Sequence, residues 1–242
     1  MTKKYLILLL CPLLLFSGCK KSMEEEIPSE ATPLSVEAKA AYSALLEETI
    51  ESATDPKGAG YGSFDENQFA VCDIDLDGKS ELIIEYVTAP LAGNVTTVYD
   101  YDGKTGSLHE EIAEFVGLTF FDNGTAEAEW SHSSGYGGGN FWPYSLYKYD
   151  KATDTYNIVG AVDAWDGVYA DSSVTGRDFP YDVDTDGDGI VYYISDGTDP
   201  INYDKPVDNT EYEAWRKSIV GDAGRIDIPF VSLTEKHIAE IQ

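Results

Sequence analysis

The stretch FAVCDIDLDGKSELIIEYV, from Phe69 to Val87, decides how the rest of this chain is read. Two short apolar runs, FAVC and ELIIEYV, are rich in the β-branched and aromatic residues that suit a pleated, half-buried surface, and an aspartate-rich loop separates them. The segment reads as strand, loop, strand. Moving outward, NVTTVYDY, LHEEIAEFV, GLTFF, TAEAEW, YSLYKYD, YNIVGAVDAW and IVYYIS repeat that character. Asp102-Gly103, Asp122-Asn123-Gly124 and the turn at residues 151–155 join neighbours at hairpin distance, so most strands are expected to pair antiparallel. Within TAEAEW the alternation places Ala126, Ala128 and Trp130 on one face and Thr125, Glu127 and Glu129 on a solvated one.

Helical periodicity is confined to the ends of this region. From Ser35, the residues Tyr42, Leu45, Leu46, Thr49, Ile50 and Ala53 share one 3.6-period face, and Asp55-Pro56 stops the pattern. Near the carboxyl end, Thr210-Glu211-Tyr212-Glu213 reads as a capping box ahead of Trp215 and Ile219, with Gly221 as the stop, and Thr234 opens a last short helix. No tandem repeat of fixed period is visible. The expected fold is mainly β: an antiparallel domain, propeller-like or a meander or sandwich, with an amphipathic N-terminal helix and short C-terminal helices.

The aspartate loop itself carries chemistry. Asp73, Asp75, Asp77 and Glu81 occupy positions 1, 3, 5 and 9, with Gly78 at position 6 and the Lys79 carbonyl at position 7. Calcium takes six to eight oxygen ligands at about 2.3–2.6 Å, and alternate residues of a tight loop turn their carboxylates onto one centre. Four converging carboxylates repel one another unless a cation sits among them. An EF-hand would require flanking helices and a glutamate at position 12, where Ile84 stands. With its strand flanks, the segment from Phe69 to Val87 resembles instead the calcium loops of FG-GAP and VCBS repeats, whose DxDxDGxx(D/E) pattern Asp73, Asp75, Asp77, Gly78 and Glu81 match. That resemblance implies a bound Ca²⁺. A second run, YDVDTDGDGI, offers Asp182, Asp184, Asp186 and Asp188 in two registers, with no acid at position 9 in either.

Composition agrees with an exported acidic domain. The 242 residues carry 44 Asp and Glu against 16 Lys and Arg, a formal net charge of -28, which disfavours nucleic acid as a partner. At 43% hydrophobic the chain still has the apolar content for a core. Lys3 and Lys4 precede an apolar run from Tyr5 to Phe16, the size of a signal-peptide core. The run ends in LFSGC, which resembles the lipobox of bacterial lipoproteins and implies a lipidated Cys19. Residues 1–18 then read as a signal peptide, 19–34 as lipidated cysteine and tether, and 35–242 as one β-rich domain held at the outer face of the cell membrane. Together, lipobox, tether, aspartate loop and glycine-bearing aromatic hairpins are similar to lipoproteins of Gram-positive gut bacteria, which implies a location and no defined activity. Cys72, in the apolar FAVC run, reads as a buried hydrophobe.

No HExxH, GxSxG, CxxC or Walker loop occurs. The stretch WSHSSGYGGGNFWPY instead sets Trp130, His132, Tyr136, Asn140 and Trp142 about a glycine-rich loop, a set suited to stacking on a sugar or peptide if solvent-facing and to filling a core if not. Trp165 carries the same alternatives. The expected function is a calcium-binding surface module for a carbohydrate or protein ligand; the alternative is a glycan or peptidoglycan hydrolase working through acidic residues.

Overall fold

A computed structural model describes residues 32–52, 66–88, 94–130, 136, 141–170 and 172–241. The signal segment, Cys19, His132 and Asn140 lie outside the described residues. Among the described residues, ten strands form two five-stranded open sheets, each a run of antiparallel neighbours. The first has the order β10-β1-β2-β3-β4, built from β1 (Gln68–Cys72), β2 (Glu81–Tyr86), β3 (Val95–Asp102), β4 (Ser107–Phe115) and β10 (Val231–Ser232). The second follows chain order: β5 (Thr119–Phe121), β6 (Thr125–Glu129), β7 (Tyr144–Asp150), β8 (Thr155–Asp166) and β9 (Ile190–Asp196). The meander or sandwich form of the expected fold is the one present.

Residue parity explains the layers. In β2, Leu82, Ile84 and Tyr86 pack with Tyr42 and Leu46 of α1 (Val36–Ser52) and with Ile238 of α4 (Glu235–Ile238), while Ile83 turns to the opposite side. There it meets Ala70, Val98 and Ile112 of its own sheet and Phe120, Ala126 and Tyr156 of the second. The two sheets therefore share a core. Phe121, next to Phe120, faces the other way, where Tyr212 and Trp215 of α3 (Asn209–Val220) cover the second sheet. The order is helix, sheet, sheet, helix, with the remaining short helix, α2 (Ser172–Thr175), beside it.

Three local expectations change. Of the face expected to be solvated, Glu129 is exposed but Thr125 and Glu127 are buried, because α3 lies over them and Arg216 Nη1 reaches Glu127 Oε2 at 2.6 Å. The cap of α3 is Asp208, two residues before Thr210, and its carboxylate accepts from the Asn209 N–H. Strand β10 was not foreseen, since two residues show no period; β1 templates it through the Phe69 and Val231 pairing. The caps at Ser35, Gly221 and Thr234 stand where the sequence places them.

Candidate metal centre

The loop joining β1 to β2 is folded by its own aspartates. Asp73 accepts from the N–H of Leu76 at 2.8 Å and of Gly78 at 3.1 Å, Asp75 from Asp77 at 2.7 Å, and Asp77 from Lys79 at 2.8 Å. Gly78 takes φ +94°, where a Cβ would resist, and Leu76 is forced to φ +67° without that freedom. These turns bring one carboxylate oxygen from each of Asp73, Asp75, Asp77 and Glu81 within 4.8 Å of one another, the span of two ligands on opposite sides of a calcium ion.

Satisfaction of the inner oxygens is incomplete. Glu81, at 1% exposure, accepts the Ile74 N–H on Oε2 at 2.9 Å, and its Oε1 has no donor. Asp75, at 5%, has no donor within hydrogen-bond geometry on Oδ2, the nearby Tyr149 hydroxyl being given to Asp154. Burial pushes the Glu81 carboxyl up to about 10, with the Asp75 charge adding to it. Asp75 rises to about 6, again from burial first. Buried anions without donors are costly, and a cation is the partner that would relieve them.

Around this loop the rest of the fold adds more acid and one base. The Lys79 ammonium lies 2.7 Å from Asp100 of β3, 3.0 Å from Asp77 and 3.9 Å from Asp154 in the turn between β7 and β8. Burial opposes its charge, but the carboxylates of Asp100 and Asp77 outweigh that and hold it above the ordinary lysine value. Glu111 of β4 joins from the sheet seam, and a second set of oxygens within 4.8 Å comprises Asp75, Glu111 and Asp154. Neither Glu111 nor Asp154 was singled out from the sequence. A cavity of about 610 Å³ adjoins this centre, lined in part by Tyr42, Lys79, Asp100, Lys104 and Asp154. Cys72, half-buried at the end of β1, has its thiol pushed up to about 12 by burial and by Glu81, which makes it a poor nucleophile.

The second aspartate run adopts the same turn in the register that starts at Asp184. Asp184 accepts from Gly187 and Gly189, Asp186 from Asp188, and Asp188 from Ile190, matching the offsets at Asp73, Asp75 and Asp77. Position 9 is Tyr192, and the missing acid comes from elsewhere: the Tyr192 and Val207 bridge sets Asp208 beside the loop, where it gathers with Asp184 and Asp186. Asp182 and Asp188 are not in that gathering. Asp208 is also committed to its own partners, Thr185 and the Asn209 N–H.

The aromatic residues divide. Trp165 is core, at 1% exposure, with Nε1 donating to the Ala170 carbonyl. Tyr136 packs among Trp165, Tyr193 and Tyr203, stacked on the last at 4.5 Å. Trp130 is half-buried and donates from Nε1 to Ser145 Oγ. Trp142 is 41% exposed and borders a groove of about 520 Å³ with Glu127, Glu129, Tyr144 and Arg216. No helix among the described residues is long and apolar enough to cross a membrane. No family model, curated protein or solved structure matches the chain.

Proposed function

We propose that this chain is a calcium-binding β domain, exported and lipid-anchored through Cys19, that serves as a binding module at the outer face of the cell membrane. The observation that carries the calcium reading is the pair of bare, buried oxygens, Glu81 Oε1 and Asp75 Oδ2, inside a loop whose other carboxylate oxygens converge with them. An all-oxygen, carboxylate-rich set is the donor chemistry of a hard cation. The ion's role is structural, fixing a loop between two core strands. For the ligand, the groove beside Trp142 offers an exposed indole next to the Glu127 and Arg216 pair, which suits a carbohydrate or a peptide. The hydrolase alternative calls for two free carboxyl groups facing an open cleft. Glu127 is tied to Arg216, and the strongly perturbed carboxyls Glu81 and Glu111 are buried at the metal centre, so binding is the better-supported role.

Thermal melting of the full chain in mild detergent tests the calcium part. Millimolar calcium is expected to raise the midpoint and chelator to reverse it; equal midpoints in both would overturn it. For the anchor, Cys19→Ser should release the protein from the membrane fraction. Glycan-array and pull-down screens, run with calcium and with chelator, test the ligand role, and Trp142→Ala should abolish any capture that the groove provides.

A further inference from the structure

The proposed calcium loop uses Asp75 once, yet Asp75 belongs to two gatherings of oxygens, and the second contains the least satisfied side chain in this region. Glu111 is 5% exposed, and neither of its carboxylate oxygens has a hydrogen-bond donor. The β3–β4 register passes over Glu111, pairing Ile112 with Val98 and Glu110 with Tyr99, and this bulge sets Glu111 on the seam side with Ile112, where its carboxylate meets Asp154 of the second sheet. Burial, then the charges of Asp75 and Asp154, push the Glu111 carboxyl up to about 9. A side chain placed this way is strongly destabilising unless something positive meets it. Lys79 does not: its ion pairs are with Asp77, Asp100 and Asp154.

Asp154 closes the turn between β7 and β8, its N–H donating to the Asp150 carbonyl at 2.8 Å. It holds φ +56°, in the left-handed region that aspartate and asparagine adopt at turns. Two contacts from outside the turn fix it: the His109 ring nitrogen Nε2 on its carbonyl at 2.6 Å, and the Tyr149 hydroxyl donating to Oδ1 at 2.5 Å. Its carboxylate thereby meets Asp75 and Glu111, with one oxygen from each within 4.8 Å of the others. That is the spacing of oxygens sharing one ion at about 2.4 Å.

We propose that Asp75, Glu111 and Asp154 hold a second divalent cation of the calcium class, adjacent to the ion of the aspartate loop and sharing Asp75 with it. The proposal rests on the loop reading only for the shared residue; Glu111 and Asp154 belong to the second ion alone. Its ligands come from the β1–β2 loop, from β4 and from the β7–β8 turn, so the ion joins the two sheets.

Equilibrium dialysis of the full chain against calcium, with terbium luminescence sensitised by Tyr149, distinguishes the two sites. Glu111→Gln is expected to bind one ion fewer than the native chain while keeping the loop ion, and Asp73→Asn to lose the loop ion. If Glu111→Gln proves poorly folded, Asp154→Asn serves: asparagine tolerates the left-handed turn and can still accept from Tyr149, and it should weaken the same ion by about tenfold or more. Native stoichiometry and affinity in both seam variants, alongside loss of one ion in Asp73→Asn, would overturn the second site and leave the loop reading intact. Absence of calcium from the native chain would overturn both.

Discussion

Replacing Glu81 with Gln should change the metal-free and calcium-loaded proteins in opposite directions. In the metal-free protein Glu81 is a buried acid with one bare oxygen, and its ionisation is pushed from about 4.5 to about 10. At pH 7 the folded chain must take up a proton that the unfolded chain does not hold, over a gap of about 2.5 units, so folding loses about 3 kcal/mol at most. Glutamine keeps the volume and an oxygen for the Ile74 N–H, and its amide group can donate toward Asp75. The Glu81→Gln protein should therefore melt higher than the native one in chelator, by roughly 5–10 °C for a chain of this size. In 10 mM calcium the order narrows or reverses. A site with Kd of about 10⁻⁴–10⁻³ M adds about 1.4–2.7 kcal/mol to the native protein, and the variant has lost a ligand for it. Scanning fluorimetry at pH 7 in both buffers reads all four midpoints. A variant that melts below the native protein in chelator, yet keeps the full calcium shift, would refute the reasoning.

The remaining predictions concern the same centre and its supports. Asp75, Glu81 and Glu111 are all shifted upward, so the folded metal-free chain holds more protons than the unfolded one between roughly pH 4 and pH 10, and its stability falls as pH rises through that window. Midpoints in chelator should drop from pH 5 to pH 8 and the calcium shift should grow; a rising midpoint would contradict it. Leu76→Gly relieves a φ of +67° at an exposed position, where the equivalent residue of the second loop is Gly187 at +74°, and should gain about 0.5–1 kcal/mol by urea titration. A loss would show that the Leu76 backbone is unstrained. Gly160→Ala would put a Cβ 2.7 Å from Trp215 Cζ2 and 2.8 Å from the Ser195 carbonyl, so it should cost about 1–3 kcal/mol while leaving the calcium shift unchanged.

The strands and the aspartate loop were legible in the sequence because both are local. Period-two runs bounded by turn residues need no distant partner to be recognised, and the loop's ligands sit within nine residues. What was not legible depends on which segments meet. LHEEIAEFV shows two adjacent glutamates, and alternation puts one inward. Choosing Glu111 requires the β3–β4 register, which a bulge at Val98/Tyr99 shifts by one residue. Asp154 reads as an ordinary turn residue until the second sheet folds against the first. Asp208 stands 24 residues along the chain from Asp184 and is brought to it by the isolated bridge between Tyr192 and Val207 and by its hydrogen bonds from Thr185. The solvated face assigned to Thr125 and Glu127 failed for the same reason: a polar period-two face looks wet until a helix carrying Arg216 covers it.

The placement of the centre at the sheet seam follows from what that seam otherwise contains. The shared core includes small side chains, Ala70 and Ala126, and the link from β4 to β5 is a short stretch in which Val116 itself takes φ +81°. Polar contacts that cross the seam among the described residues include His109 with the Asp154 carbonyl, the Tyr147 hydroxyl donating to Glu114 at 2.6 Å, the Tyr156 hydroxyl donating to the Ile74 carbonyl at 3.4 Å and the Lys79 ammonium 3.9 Å from Asp154. Glu111 on one side and Asp154 on the other are both acids, so without a cation the seam holds either two like charges or a Glu111 kept neutral by its raised proton affinity. A divalent ion between them replaces either state with ligand bonds from both sheets. On the two-ion reading calcium is therefore a clamp between sheets as well as a loop staple. Its removal should be felt first at β4 and the β7–β8 turn, where hydrogen exchange in chelator should speed up while α3 and β9, across the second sheet from the seam, stay protected.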